Sequence, residues 1–248
     1  MTTLSIAWLL IVGFGLGLKH AIEPDHLAAV STIVADRKSI WNASLIGGLW
    51  GVGHTFSLLI AGILMIVFHF ETSAVLGMIL EFCVALMLIG LGIEALRKLL
   101  RGGQVHWHIH RHGGIAHAHP HIHDKEKAHS PNEAAHARTH HGLKLSPRPF
   151  LVGMLHGLAG SGAVMLLILS TIPSATVGAA YILVFGVGSI GGMMLMSTLI
   201  GLPFHLTSDR FARLEWLMRG ASAVFSLGIG LFMVLDIGFT QGLFQLPG

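Results

Sequence analysis

Residues 4 to 31 read LSIAWLLIVGFGLGLKHAIEPDHLAAVS, and this stretch decides what kind of molecule the chain is. From Leu4 to Leu18 it is apolar or small apart from Ser5. From Lys19 to His26 it then holds two histidines, two carboxylates, a lysine and a proline, and the apolar pattern resumes at Leu27. A helix of this length runs about 42 Å at 1.5 Å per residue, enough to cross the roughly 30 Å of a bilayer's hydrocarbon. At that depth each charged side chain costs roughly 2.5–3.5 kcal/mol on insertion scales, so the polar knot needs an offset. Pairing Lys19 with Glu23, four residues apart on one helical face, is the cheapest structural offset. It leaves His20, Asp25 and His26 unexplained.

Pro24 has no amide proton and its ring crowds the carbonyl of His20, so the helix is expected to kink or open there. An opened backbone is tolerated at membrane depth where it lines a cavity inside the protein. On an ideal helix Asp25 lies about 140° around from His20, so one ion reaches both only after such a distortion, whereas Glu23 and His26 share a face. Imidazole and carboxylate donors together suit nickel or cobalt, while magnesium and calcium prefer oxygen alone. A proton relay uses the same residue types and is the alternative reading of the segment, with a purely structural ion-pair knot third.

The rest of the chain is equally apolar. Of 248 residues, 53% are hydrophobic and 11% are Asp, Glu, Lys or Arg, against about 25% charged in soluble domains. The expected class is an all-α integral membrane protein with six spans, near 4–31, 42–68, 73–96, 149–172, 176–202 and 214–238. The uncharged first 18 residues lack a basic leader region and read as a retained helix rather than a signal peptide. The lone Cys83 excludes an internal disulfide and a thiolate zinc cage. A net charge of +3 comes from cations at span ends, which reflects membrane orientation rather than nucleic-acid binding. Arg37, Lys38, Arg97, Lys98, Arg101, Lys144, Arg148, Arg210, Arg213 and Arg219 all fall on one side, which the positive-inside rule makes cytoplasmic. Both termini are therefore expected outside.

Gly17-Leu18-Lys19-His20 aligns with Gly153-Met154-Leu155-His156, and Gly51-Val52-Gly53-His54 with Gly186-Val187-Gly188-Ser189 after a one-residue gap. Two three-helix repeats, residues 1–103 and 148–248, would then be inverted relative to each other, a common transporter plan with its site at the repeat interface. Between them, residues 104–147 form a His-rich cytoplasmic loop. Twelve of the 38 residues from Gln104 to His141 are histidine, which suits capture of borderline metals, and the low apolar content predicts a largely disordered accessory.

Further candidates are His54 and His156, each beside small residues that let helices approach closely. The repeat sets His156 opposite His20. Glu81 is weaker, His69 and His205 lie near span ends, and Met193, Met194 and Met196 read as packing.

His20, four residues, then Asp25-His26 in a transmembrane helix resembles the hallmark of the nickel/cobalt transporter family, and Gly53-His54-Thr55 resembles its second motif. The short chain is similar to the six-helix branch that includes proteins encoded near urease genes, and the His-rich loop to the metal-efflux branch. The resemblance implies a secondary transporter moving Ni2+ or Co2+ across the cytoplasmic membrane, with His20, Asp25, His26 and His54 as metal ligands; Glu23, three residues before His26, and His156, set opposite His20 by the repeat, complete the candidate ligands. It implies no enzyme and no resident cofactor, the metal being the substrate. Efflux instead of uptake and export of a small anion such as sulfite are the alternatives, though an anion calls for a cationic site and Lys19 is the only cation here. An intramembrane metalloenzyme is a third, without an HExxH pair to support it. Direction, nickel against cobalt, the coupling ion and assembly, a homo-oligomer included, stay open. Replacing Gln104–His141 by a short linker is expected to leave metal flux measurable in proteoliposomes; complete loss in a stably inserted deletion refutes the loop's accessory role.

Overall fold

The computed structural model describes residues 3–35, 39–68, 73–101, 104–112, 115–123, 147–158, 169, 171–172, 174–207 and 211–245. The opening span is two helices, α1 (Thr3–His20) and α2 (Pro24–Val34), bent by 55°. Proline is the cause. Pro24 takes the first position of α2, where its missing N–H is not needed, and the residue before a proline is pushed out of the helical region. Glu23 accordingly sits at φ −63°, ψ 145°. The backbone stays satisfied through the break, since the amides of Ile22 and Glu23 donate to the carbonyls of Lys19 and His20.

Then follow α3 (Ile40–Phe68), α4 (Ala74–Leu100), α5 (Arg148–Gly157), α6 (Ala175–Thr207) and α7 (Ala212–Leu235), the last continued by a π-helical turn at Asp236–Thr240. Among the described residues four helices are long and apolar enough to cross a bilayer, and there are five candidate spans when the bent α1–α2 pair is counted as one. The expected fourth span, 149–172, is described only through residue 158 and near its end. The remainder of it lies outside the described residues, as do His69, the Pro173 turn and the cations Arg37, Lys38, Lys144 and Arg210. Trp8, Ile11, Val67, Leu231 and Phe232 point outward, a surface suited to lipid and far too apolar for water.

Within the His-rich loop, β1 (Gln104–His112) and β2 (Ile115–His123) form an antiparallel hairpin. The first run alternates strictly, with Trp107 and Ile109 between histidines, which is a strand period. Gly113-Gly114 between the two runs is a hairpin-turn dipeptide. The register sets His106, His108 and His110 opposite His121, His119 and His117.

The short helix α2 lies at the centre, packed against α3, α4, α6 and α7. Ala28, Ala29, Val30 and Val34 are buried in the main core with Trp50, Leu88 and Met193. Its buried hydroxyls, Ser31 and Thr32, donate to the carbonyl of Ala28 at 3.0 and 2.9 Å, so no polar cost is left uncompensated there. Around it α1 packs on α6, α3 on α5 and α6, and α4 on α7, with Ser226 of α7 donating to the Leu88 carbonyl of α4 at 2.9 Å. The Arg148 guanidinium makes a forked pair with Glu94, which Lys98 joins at 2.9 Å. This pair ties the start of α5 to α4.

Two of these contacts depend on glycine. A side chain at Gly17 would run into the Phe185 carbonyl of α6, and one at Gly53 into the Phe150 carbonyl of α5. Both neighbours are backbone, which cannot step aside. Gly17→Ala and Gly53→Ala are each expected to lose about 1–3 kcal/mol of stability by overpacking, read as a lowered unfolding temperature in detergent. Gly15→Ala, with nothing within 4 Å of the added carbon, is expected to be neutral.

Candidate metal-ion site

The break at residues 21–23 brings the ends of α1 and α2 to face α3 and α5. His20 is the last residue of α1, His26 lies in the first turn of α2, His54 is mid-way along α3 and His156 is near the end of α5. Four histidines remote in sequence thus converge. All are essentially withdrawn from solvent, at 2% exposure for His20 and 0% for the other three. Ring centres lie 4.4 Å apart for His20–His26, 4.8 Å for His20–His54, 5.2 Å for His26–His54, 4.2 Å for His26–His156 and 6.1 Å for His54–His156.

The donor atoms fall into two groups that share one residue. His20, His26 and His54 offer one atom each within 4.8 Å of one another, and so do Asp25, His26 and His156. In the first, His20 Nε2 and His54 Nε2 stand 2.9 Å apart. In the second, Asp25 Oδ2 is 2.8 Å from His156 Nε2 while Oδ1 is 3.1 Å from His26 Nδ1. With metal–nitrogen bonds of about 2.0–2.1 Å, two donors at a right angle sit about 2.9 Å apart. The spacings therefore serve equally as hydrogen bonds or as neighbouring edges of one coordination sphere.

Three buried ring nitrogens, His26 Nε2, His54 Nδ1 and His156 Nδ1, have no hydrogen-bond partner among the described residues. Buried polar atoms are rarely left so. An orphaned nitrogen in a cluster of imidazoles is what an ion-binding site needs.

Glu23 stands behind this cluster. Its carboxylate is 3.1 Å from His20 Nδ1, an orientation that holds Nε2 toward the centre, as carboxylates behind metal-bound histidines do. This differs from what counting around an ideal helix gives, the ion pair with Lys19 and the face shared with His26, while Glu23 stays among the candidates beside the ligands. The break rotates residues 21–23 out of helical phase, so counting around an ideal helix fails across it. Asp25 and His20 likewise do not meet directly; His26 stands between their groups.

Aromatic rings close the walls. Trp50 lies 5.2 Å from His26 and 5.5 Å from His156, and Phe185 lies 5.6 Å from His20. The sequence held a signal for Trp50, four residues before His54 and so on the same face of α3. Glu81 of α4 is half-buried and joins neither group. His205 is exposed near the end of α6, and Met193 packs in the core.

No family model and no solved structure matches the chain. It is 37% identical to the urease accessory protein UreH of Bacillus sp. (strain TB-90) over 99% of both chains. It is 30% identical over 112 residues to the high-affinity nickel transport protein of Cupriavidus necator, covering 38% of this chain and 32% of that one. The chloroplast protein FOR GROWTH AND FERTILITY 2 of Arabidopsis thaliana is 24% identical over 97% of this chain and 59% of its own length. The urease accessory and nickel transport relatives indicate no enzyme family. Together with the apolar helices they make the chain a membrane protein, and its full-length similarity to UreH means that it belongs to the family of that urease accessory protein.

Proposed function

We propose that the chain is a secondary transporter that carries Ni2+, and Co2+ with it, across the cytoplasmic membrane through the site around His26. The observation that carries the reading is the convergence of four buried imidazoles and Asp25 from four helices, with donors at coordination spacing. Stripping a dication of water is unfavourable unless donors replace the water and negative charge offsets its own. The imidazoles replace the water, and Asp25 with Glu23 supplies two carboxylates. A nickel transport protein among the relatives supports the choice of ion. A proton relay is served by single file, whereas these rings gather around one point.

A dication entering a negative-inside cell gains about 4.6 kcal/mol per 100 mV, at about 2.3 per charge, so uptake needs no nucleotide. Two inverted three-helix repeats are part of the proposal. In their favour, exchanging the halves turns the α1–α6 contact into the α5–α3 contact and returns α3–α6 and α4–α7 to themselves. Both termini lie outside on this reading.

Removing a ligating imidazole should cost more than losing a partner behind a ligand, which is worth about 10- to 100-fold in affinity. His20→Ala and His26→Ala are therefore expected to abolish high-affinity radiometal uptake into proteoliposomes. Asp25→Asn should fail nearly as badly, Glu23→Gln within the 10- to 100-fold range, and Lys19→Ala should be mild. Purified, correctly inserted His20→Ala and His26→Ala proteins that bind and move nickel like wild type would end the proposal. Orientation is checked by cysteine labelling in a Cys83→Ser background: positions 2 and 247 are expected to react from outside, and cytoplasmic labelling there reverses the topology.

A further inference from the structure

We infer that the site holds two alternative stations for one divalent cation, with His26 as the ligand common to both. The inference rests on the transport reading and adds how the ion is held on its way. One station is His20, His26 and His54, an all-nitrogen set with Glu23 behind it. The other is Asp25, His26 and His156, two nitrogens and a charged oxygen. Each set has its ligand atoms within 4.8 Å of one another. No group joining all five residues meets that spacing among the described residues, and the His54 and His156 rings are the widest of the measured pairs at 6.1 Å.

His26 has what a shared ligand needs. Its Nδ1 faces Asp25 at 3.1 Å and its Nε2 has no hydrogen-bond partner among the described residues in a fully buried setting. Serving two ions at once through both ring nitrogens would require an imidazolate, so the stations exclude each other. The ion passes between them by exchanging His20 and His54 for Asp25 and His156, with His26 a ligand at both ends of the step. The donors it gives up are thus replaced within the low-dielectric interior, where a bare dication is most costly.

The two stations differ in chemistry, and that makes them separable. Full-length protein in detergent is titrated with Co2+, whose visible bands report the ligand set, and with Ni2+, with His26→Ala as the baseline that retains every histidine of the loop. Wild type is expected to hold one ion above this baseline. His54→Ala is expected to keep one ion with a spectrum of mixed oxygen and nitrogen donors. His156→Ala should keep one with an all-nitrogen spectrum, the double variant none, and both single variants should lose at least tenfold in flux. His54→Gln and His156→Gln give the same readout where alanine impairs insertion. If either single substitution removes binding as completely as His26→Ala, there is one composite site and the stations are refuted, the transport site surviving. Two ions above baseline in wild type, or single variants that transport at the wild-type rate, also refute the shared ligand. Wild type holding no more ion than His26→Ala overturns the transport site itself, and the stations with it.

Discussion

A carboxylate largely withdrawn between helices at membrane depth needs its oxygens held, and Asp25, with 15% of its side chain exposed, is held on both. His26 from its own helix takes Oδ1 and His156 from α5 takes Oδ2. Losing either partner would leave buried charge uncompensated, a cost of several kcal/mol in a dry interior. The arrangement of α1, α2, α3 and α5 follows from meeting that demand. Pro24 breaks the first span so that α2 starts beside α3 and α5 instead of continuing along α1. Glycine at position 53 allows α5 to approach α3 to backbone contact, which brings His156 within reach.

The same features make the centre dry and stiff. Trp50 and Phe185 shield the imidazoles from either side, while Ala28, Ala29 and Val30 bury the far face of α2. Hydrogen bonds among the rings strengthen as water is excluded, and so does the cost of each nitrogen left without a partner. A cluster with three such nitrogens is poised for an ion in a way that a satisfied polar network is not. Structural ion-pair knots close on themselves; this one leaves ring nitrogens without partners among the described residues.

Local sequence reached far here because the decisive features are local. A charged cluster in an apolar helix and a proline inside it state both the span and its break, and His20, Asp25 and His26 follow from them. His54 and His156 were legible through their glycine neighbours and the weak repeat, since close helix approach leaves small residues behind. What the sequence could not disclose is how the break turns the chain. Glu23 was assigned to Lys19 or to the face of His26 by helical counting, and it pairs with His20 because residues 21–23 are not helical. The hairpin at Gln104–His123 is legible only in the period of its residues, which an average over composition erases. The division of five of the six candidate ligands into two overlapping triads, with Glu23 outside both, is a three-dimensional fact that no spacing rule encodes.

The geometry also says which part of the site is free to give. His54 and His156 ride on α3 and α5, and a side chain at Gly157 would meet the backbone of His54, so these two helices are in contact at the level of the ligands and their spacing is hard to change. His20 ends α1, which presses on α6 through Gly17. By contrast α2 is joined to α1 through three non-helical residues, and it alone carries both His26 and Asp25. A small rotation of α2 would carry His26 toward His54 or toward Asp25's partner His156, exchanging one triad for the other without parting the glycine-locked pairs. Packed interfaces favour such discrete alternatives over continuous deformation. On the two-station reading, then, the moving part is the shortest helix in the first half; the proline that breaks the span uncouples it from α1, and its packing on α3, α4, α6 and α7 keeps the shift small.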